Sequence, residues 1–392
     1  MAIGLVTNES TIFLKEEVTE GTYVAMAAAT EGIEALADGL EMNKTRELLE
    51  RNVLGSTVEN ESARVGITDV AGSIPVELKA SATEGDAPQS LDLLMKSTLG
   101  GKRQITADQT SGSGHSSTVI TFADTSAFAV GDIVLVKESG AFECRPISAI
   151  TTNTSITFPF ALTNGAPSDS VVVAQVTTYY SDTTNAITMS AEHNLGNEGI
   201  KQKIAGLRCA SMSLENWSVG QLPTASFSVQ GLSLDRENAD ASFTPDFTAD
   251  GEAPVTLSAC AWLGGTQLAY TELGMSIENT ISYINSACDA DGRIGSRISN
   301  QVTNVTFNPY LDDADLSNTW DHFENNTDVS FFTYAYNPST TAGEFSEIVA
   351  LYLPQARIIE APVADNDGIV SEALSIRAHA STGSDSVFIS FI

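Results

Sequence analysis

Two kinds of short segment carry residue types that bind phosphate or calcium in other proteins. Ser111-Gly-Ser-Gly-His115 has the small residues of a phosphate loop, but it lacks the lysine and does not lie between a strand and a helix. Asp365-Asn-Asp-Gly368 resembles the start of a calcium loop, but the later ligands and the closing glutamate are missing. Asp289-Ala-Asp-Gly292 has a similar composition. We interpret the first segment as a linker and the two acidic segments as turns.

The other candidates for chemistry are isolated from one another. None of the four histidines has a second ligand at the spacing of a zinc site; they are His115, His193, His322 and His379. Glu16-Glu17 and Asp312-Asp313 are best interpreted as solvated charges or helix caps. No nucleophile has a base that can be placed beside it. The sequence therefore predicts neither an enzyme nor a cofactor or metal site.

The strongest compositional feature is a net charge of −31 over 392 residues. The charge is uneven: residues 204–392 hold 6 arginines and no lysine against 24 acidic residues, whereas residues 1–203 hold 13 basic and 26 acidic residues. Such a chain repels nucleic acid and anionic membranes. Solubility alone could explain the charge. The alternative is a surface that must face a polyanion without binding it.

The cysteines and the hydropathy pattern indicate the compartment. Four scattered cysteines form no C-x-x-C pair, which is typical of reduced thiols in a cytosolic product. The first residues show no charged region followed by an apolar one, so we expect no signal peptide. No apolar run approaches about 18 residues, so we expect no transmembrane helix.

The elements that would position these residues are predicted to be mainly strands. Twelve prolines and 29 glycines favour a β-rich protein with many turns. Residues 39–50 and 69–80 alternate apolar and polar positions and are predicted to form a hairpin, joined by a polar loop at 51–68. A helix over 45–54 is a competing interpretation. Pro75 cannot donate to a ladder, so the second strand should be an edge strand or carry a local break.

A helix is predicted after this hairpin, at residues 86–99. Asp86 suits the N-cap and Pro88 the first turn. An apolar stripe follows at helical spacing, formed by Leu91, Leu94, Met95 and Leu99. Gly100-Gly101 would end the helix.

The composition of the sequence changes after the helix predicted at residues 86–99. Residues 109–117 read as a flexible linker, and short strand-like runs follow to about residue 176. The sequence therefore predicts a first domain at 1–104 and 177–236, an inserted β module at 105–176, a linker at 237–254 and a second domain at 255–392.

The second domain is predicted to repeat the first hairpin and helix. The strand at 274–283 matches the strand at residue 39 with an offset of 235 residues. Val305 and Phe307 match Ile74 and Val76 with an offset of 231 residues. A loop at 285–297 and a helix at 313–325 complete the repeat, which indicates a duplication.

Four stretches carry a family resemblance. They are Phe13-Leu-Lys-Glu-Glu-Val-Thr-Glu-Gly-Thr-Tyr23, Asp38-Gly-Leu-Glu-Met-Asn-Lys-Thr-Arg-Glu-Leu-Leu-Glu-Arg-Asn-Val53, Val70-Ala-Gly-Ser-Ile-Pro-Val-Glu-Leu78 and the segment from Tyr352-Leu-Pro-Gln-Ala-Arg-Ile358 to Asp367. They resemble the tail tube (major tail) proteins of long-tailed bacteriophages. The likeness covers most of the chain except 105–176.

The resemblance implies a mainly β fold of two tandem β-sandwich domains, each with one flanking α-helix, plus the inserted module facing outward. Sheets of neighbouring subunits would join into an inner barrel. The hairpin loops at 51–68 and 285–297 would stack one ring on the next. The candidate stacking residues are Arg51, Glu59, Glu61, Arg64, Asp289, Asp291, Arg293 and Arg297.

The resemblance further implies a structural virion protein that polymerises as stacked rings into a conduit for DNA, lined with acidic residues that repel phosphate. With six domains in a ring, the duplicated chain predicts a homotrimer with pseudo-sixfold symmetry; a hexamer is the alternative. Partners would be further copies, the tape measure protein and terminator or tip proteins, with DNA passing unbound. Assembly would occur in the host cytoplasm. The competing function is a phage or cell-surface β-rich adhesion or decoration protein.

Overall fold

The computed structural model describes residues 7–51, 53, 62–138, 141–196, 199–257, 259–289, 292–311, 319–338 and 345–392. The described helices are α1 (Gln89–Thr98) and α2 (Trp320–Glu324), with short 3-10 turns at Thr7–Glu9, Ala29–Glu31 and Thr183–Asn185. The fold is mainly β, as predicted.

The strands of the described residues are numbered in chain order. They are β1 (Thr11–Glu16), β2 (Gly32–Ile33), β3 (Glu41–Leu49), β4 (Arg64–Glu77), β5 (Gly100–Ile105), β6 (Gln109–Thr110), β7 (Val119–Thr121), β8 (Ile133–Glu138), β9 (Ala141–Pro146), β10 (Ala149–Thr151), β11 (Ser155–Thr157), β12 (Val172–Val173), β13 (Val176–Ser181), β14 (Met189–Asn194), β15 (Lys201–Ser218), β16 (Thr224–Gly231), β17 (Ser233–Glu237), β18 (Cys260–Leu263), β19 (Thr266–Leu268), β20 (Tyr270–Asn285), β21 (Arg293–Pro309), β22 (Val329–Pro338), β23 (Phe345–Glu360), β24 (Val363–Asn366), β25 (Ile369–Glu372), β26 (Leu374–Ala378) and β27 (Phe388–Phe391).

The first predicted hairpin is present as β3 and β4, so the competing helix at 45–54 is wrong over the length of β3. The predicted loop at 51–68 is too long, because β4 already begins at Arg64. Strand β4 is also not an edge strand, since β16 pairs with its other side. Pro75 is tolerated because the ladder with β3 ends at Ser73, just before the missing donor.

Helix α1 keeps its predicted apolar face but begins later than predicted. Its N-cap is Pro88 and not Asp86, and its side chains Leu91, Leu94 and Met95 are buried. A second helix was predicted at 313–325, and the structure describes α2 there, which begins at Trp320. Residues 312–318, with Leu316, lie outside the described residues.

The strand order around the first hairpin recurs around the second. Pairing runs β3–β4–β16–β15 in one series and β20–β21–β26–β23 in the other. Strand β15 also pairs with β20, so the two series form a continuous run of eight strands within a larger sheet, and this run is the eight-stranded sheet. The division into two tandem domains with an inserted module remains a prediction.

The two hairpins have the same register. Adding 235 to the β3 residue and 231 to the β4 residue of each pair gives a pair of β20 and β21. The pairs of the first are Glu41↔Ser73, Met42↔Gly72, Asn43↔Ala71, Lys44↔Val70 and Thr45↔Asp69. The pairs of the second are Ser276↔Asn304, Ile277↔Thr303, Glu278↔Val302, Asn279↔Gln301 and Thr280↔Asn300. Because strand side chains alternate between faces, equal register places matching positions on the same side of both hairpins.

One face of this sheet forms the main core. Met42, Ile74, Met212, Ile277 and Phe307 are all buried in it. The intervening positions are small or charged and point away from the core, as expected for antiparallel strands with one covered face.

The predicted linker at 237–254 is hydrogen-bonded along the first series. Asp235–Glu237 belong to β17, which corrects the predicted start at 237 by one residue. Further on, the Asp250 carboxylate accepts hydrogen bonds from the Ser90 backbone and hydroxyl, and the Asp246 carbonyl accepts one from Gln89.

Strands β6 to β12 pair among themselves in two small sheets. The predicted linker at 109–117 is part of this packing: its first residues form β6, and His115 Nδ1 accepts a hydrogen bond from the Thr121 backbone. The core of these sheets continues onto the aromatic face of β18, β22, β23 and β27. Gly131 has φ +92°, and a side chain there would meet the Phe388 ring.

We predict that Trp262→Ala lowers the free energy of unfolding by about 3–5 kcal/mol. Trp262 is buried between the two halves of this core, near Phe160, Phe332 and Tyr334 and under the Arg145 guanidinium, so truncation leaves a cavity that several elements line. Urea denaturation followed by far-ultraviolet circular dichroism measures the effect. Trp320→Ala, at a residue 40% exposed, is the matched control. Equal effects of the two substitutions would contradict the packing argument.

Candidate functional site

The predicted stacking residues of the first loop are only partly described. Arg51 follows β3 and Arg64 opens β4, and both are exposed. Glu59 and Glu61 lie outside the described residues, as does Asp291 in the second loop. Their role in stacking stays a prediction.

The second loop is shorter than predicted. Strand β20 ends at Asn285 and β21 begins at Arg293, so Arg293 and Arg297 are strand residues and not loop residues. The turn closes with a hydrogen bond from the Ser286 backbone to the Gly292 carbonyl, and Asp289 accepts one from the Gly292 backbone. The ladder continues farther than expected, through the pairs Tyr283↔Ser296, Ile284↔Gly295 and Asn285↔Arg293, with a register shift at Ile294.

Arg293 joins the turn of the second hairpin to β4 of the first. Its Nη2 lies 2.7 Å from Asp69 Oδ1 and its Nη1 donates to the Thr68 carbonyl. The guanidinium also lies 3.8 Å from the centre of the Tyr283 ring, which is a cation–π distance. Gly292 faces Ile67 across the same cleft. The turn of the second hairpin therefore lies against β4 of the first hairpin.

Arg297 instead holds the N-terminal segment. The Glu20 carboxylate pairs with Arg297 and accepts hydrogen bonds from the Ser296 backbone and hydroxyl, with Arg208 3.7 Å away. Burial alone would raise the pKa of Glu20, but the hydrogen bonds from Arg297 and Ser296, together with the Arg208 charge, hold this pKa below its ordinary value. Glu20 is therefore ionised at neutral pH and ties the segment to β21.

Away from the hairpin tips, the outward face of the eight-stranded sheet is polar and predominantly acidic. Its small residues include Ser73, Ser226, Ser228, Ser213 and Ser276. Its carboxylates are Glu41, Glu77, Glu215, Glu272 and Glu278, whereas Arg357 and Arg377 lie together where β23 pairs with β26. Because these residues are exposed or half-buried, the face presents a negative surface to solvent.

The remaining candidates for chemistry are metal ligands and cysteine thiols among the described residues. Among the ranges given above, no three His, Cys, Asp or Glu residues form a group that could hold a metal ion. Cys144, Cys209 and Cys288 are free thiols, and burial raises the pKa of Cys144 to about 12 and that of Cys209 to about 11. No helix in the described part of the chain is long and apolar enough to cross a bilayer.

Two residues near the second hairpin turn had no signal in the sequence. Glu20 and Asp69 meet Arg297 and Arg293 only through tertiary packing, whereas Tyr283 meets Arg293 across the same hairpin. Their separations along the chain exceed two hundred residues for both ion pairs, and no local spacing rule reaches that far. The alternation that defines the acidic face, by contrast, was visible as period-2 patterning.

We predict that the attachment of the N-terminal segment is complete above pH about 5 and weakens as the pH falls through the lowered pKa of Glu20. The pKa of Glu20 in the folded state lies below its ordinary value of 4.5, so protonation of Glu20 favours detachment of the N-terminal segment. Glu20→Gln should lose the attachment at neutral pH. Hydrogen exchange of the peptide around Ser296, corrected for intrinsic rates, measures it. Glu16→Gln, which removes an exposed pair with Lys96, is the control. Unchanged protection in Glu20→Gln would refute the assignment.

Comparison with known proteins identifies the family of the chain. No curated protein matches the chain. A family model described as phage tail tube protein matches residues 7–378, which is nearly the whole chain. The chain therefore belongs to the phage tail tube protein family.

Proposed function

We propose that this structural tail protein assembles as stacked rings whose inner wall is the outward face of the eight-stranded sheet, forming a conduit for DNA. The observation that carries the proposal is the character of that face. It is long, uninterrupted across both series, and rich in serine and glutamate.

An acidic wall suits passage of DNA without binding. Phosphates and carboxylates repel each other, and a wall without lysine clusters releases no counterions on contact. Serine side chains are short and therefore project little from the surface of the wall. The two arginines of the face are adjacent, and Arg357 Nε lies 2.6 Å from Asp328 Oδ1, which reduces their attraction for phosphate.

The repeated register supports three chains per ring. Each chain supplies two equivalent hairpins in one sheet, so three chains present six hairpins around the axis. A homotrimer with pseudo-sixfold symmetry then follows, with a hexamer of whole chains as the alternative. The module of residues 105–176 would face outward, on the side of the core that the inner wall does not use.

Stacking between rings would use the end of the sheet at which both hairpins turn. Ring-to-ring contact is then heterologous, which builds an open filament. The loop at 51–63 and the turn at 286–292 would contact the next ring. The tape measure protein would occupy the lumen during assembly in the host cytoplasm, and terminator and tip proteins would cap the tube within the virion tail.

We predict that the purified protein forms smooth tubes with an axial repeat in negative-stain electron microscopy. Replacing residues 54–61 with a short glycine-serine linker should leave circular dichroism unchanged and abolish tubes, because the ring-to-ring contact is removed. Shortening the β24–β25 turn around Asp367 is the matched control, since this two-stranded sheet lies outside both series. Tubes of normal length from the linker variant would show that this loop does not stack.

We predict that Glu215→Lys combined with Glu272→Lys makes tubes retain duplex DNA fragments that wild-type tubes release at physiological salt. Both side chains are exposed on the proposed inner wall, so each reversal converts a repulsive contact into an attractive one. Co-sedimentation over a salt series measures binding. Asp367→Lys is the control, as an exposed acid in the β24–β25 turn. Equal retention by the control tubes would disprove an acidic lining at these positions.

A further inference from the structure

Two strand edges of the sheet are open at opposite ends of the eight-strand order. Within the described residues, no strand pairs with the side of β3 that faces away from β4. At the other end, β22 covers the outer side of β23 only as far as Ala356, where it pairs with Val329. From Arg357 to Glu360 that side of β23 has no strand partner among the described ranges. Open edges present unpaired backbone donors and acceptors and are templates for pairing with another chain.

Within the chain, the equivalent edge of β15 is already paired with another strand. In the first series, β14 covers the outer side of β15 as far as Leu207, and β20 takes over that side from Ser211 onward. The two pairs that begin this internal seam are Ser211↔Glu278 and Met212↔Ile277. The slot that β20 fills beside β15 is thus the same slot that is open beside β23.

The positions of the two seams can be equated through their neighbours. Ser211 and Met212 pair with Ser228 and Phe227 of β16. Arg357 and Ile358 pair with Arg377 and Ile376 of β26 in the same way. These β16 and β26 residues in turn pair with Ser73 and Ile74, and with Asn304 and Val305, the positions already equated by the 231-residue offset. On the other side of the seam, the 235-residue offset equates Glu278 with Asn43 and Ile277 with Met42.

We infer that the edge of β23 in one copy pairs antiparallel with β3 of the next copy, with Arg357 opposite Asn43 and Ile358 opposite Met42. This seam rests on the proposed ring and specifies its subunit contact at the level of single residues. The occupant of the open edge is a second copy of this chain. The contact is heterologous, because β23 and β3 are different surfaces, and so it can close a ring.

The side chains at the two edges are complementary. Met42 and Ile358 both belong to the main core, so their pairing continues the apolar face without a gap. On the outward face, Arg357 stands at the β23 edge with Arg377 of β26 beside it, and Glu41 stands at the β3 edge. Diagonal neighbours across an antiparallel pair lie about 7–8 Å apart, within reach of Arg and Glu. A register shift at Ile359 ends the equivalence, so the assignment covers these two pairs and not the residues beyond.

The inferred seam lacks a set of side-chain hydrogen bonds that the internal seam has. There, Asn279 Nδ2 donates to the carbonyls of Thr98 and Cys209, and Gln301 Nε2 donates to Asn279 Oδ1. The equivalent residues of the first hairpin are Lys44 and Val70, and Lys44 Nζ donates to the Leu234 carbonyl of its own chain. The internal seam is therefore locked within the folded chain, whereas the outer one is held by backbone pairing and the contacts just described.

The experiment is disulfide capture in assembled tubes. Asn43→Cys and Arg357→Cys are introduced together into a chain whose Cys260 and Cys288 are serine, and the tubes are oxidised with copper phenanthroline and oxygen. Directly opposed residues of an antiparallel pair have a Cα separation of about 4.5–5.5 Å, which suits a disulfide. Non-reducing electrophoresis should show covalent dimers and trimers, with the trimer as the limit.

Two matched pairs calibrate the result. Ser211→Cys with Glu278→Cys should cross-link within one chain and leave the mass unchanged. Glu47→Cys with Arg357→Cys shifts the register by four residues, or about 13 Å, and should give no cross-link. Slower hydrogen exchange at residues 41–44 in tubes than in free subunits is the independent measurement.

The outcomes separate the inference from the proposed function. Tubes that form, link internally at 211 and 278, yet fail to link at 43 and 357 or link at 47 instead, would overturn the seam and leave the tube intact. A monomeric protein without tubes at any concentration would overturn the proposed function itself. Ladders that extend beyond the trimer to a hexamer would keep the seam and replace the trimer by the hexamer.

Discussion

The structure depends on one antiparallel contact, the pairing of β15 with β20. Without it, the two strand series would each end in an unpaired backbone edge inside the chain, where water could not replace all the missing hydrogen bonds. The contact also aligns Met212 with Ile277, so two apolar faces become one core.

Much of the strand framework could be predicted because the signals are local. Period-2 patterning identified both hairpins, and the offsets of 235 and 231 residues gave the equivalence that the registers later showed. Errors arose at the ends of elements. Arg64, Arg293 and Arg297 look like loop residues by composition, but ladder pairing and distant partners such as Asp69 and Glu20 hold them in strands. Asp86 is a good cap by type, but Pro88 takes the position because the helix begins later.

The packing of residues 105–176 could not be read from the sequence. Their short strands were visible, but their main neighbours lie in strands more than a hundred residues later, such as Trp262, Phe332 and Phe388. Aromatic residues in β18, β22 and β27 would read equally well as an ordinary sandwich face. Only the three-dimensional contact shows that they cover the module core, and a close approach such as Gly131 to Phe388 has no sequence signature.

The internal seam has a consequence for the concentration at which the proposed rings would form. Each association of separate molecules costs several kcal/mol of translational and rotational freedom, about 4–15 kcal/mol at a standard concentration of 1 M. Where two copies of a unit are covalently continuous, their encounter becomes intramolecular and that cost is met once, on folding. The proposed ring of three chains would therefore need two associations of separate molecules, whereas a ring of six separate units would need five. Its concentration threshold should fall accordingly, and every second seam is already formed before any two molecules meet.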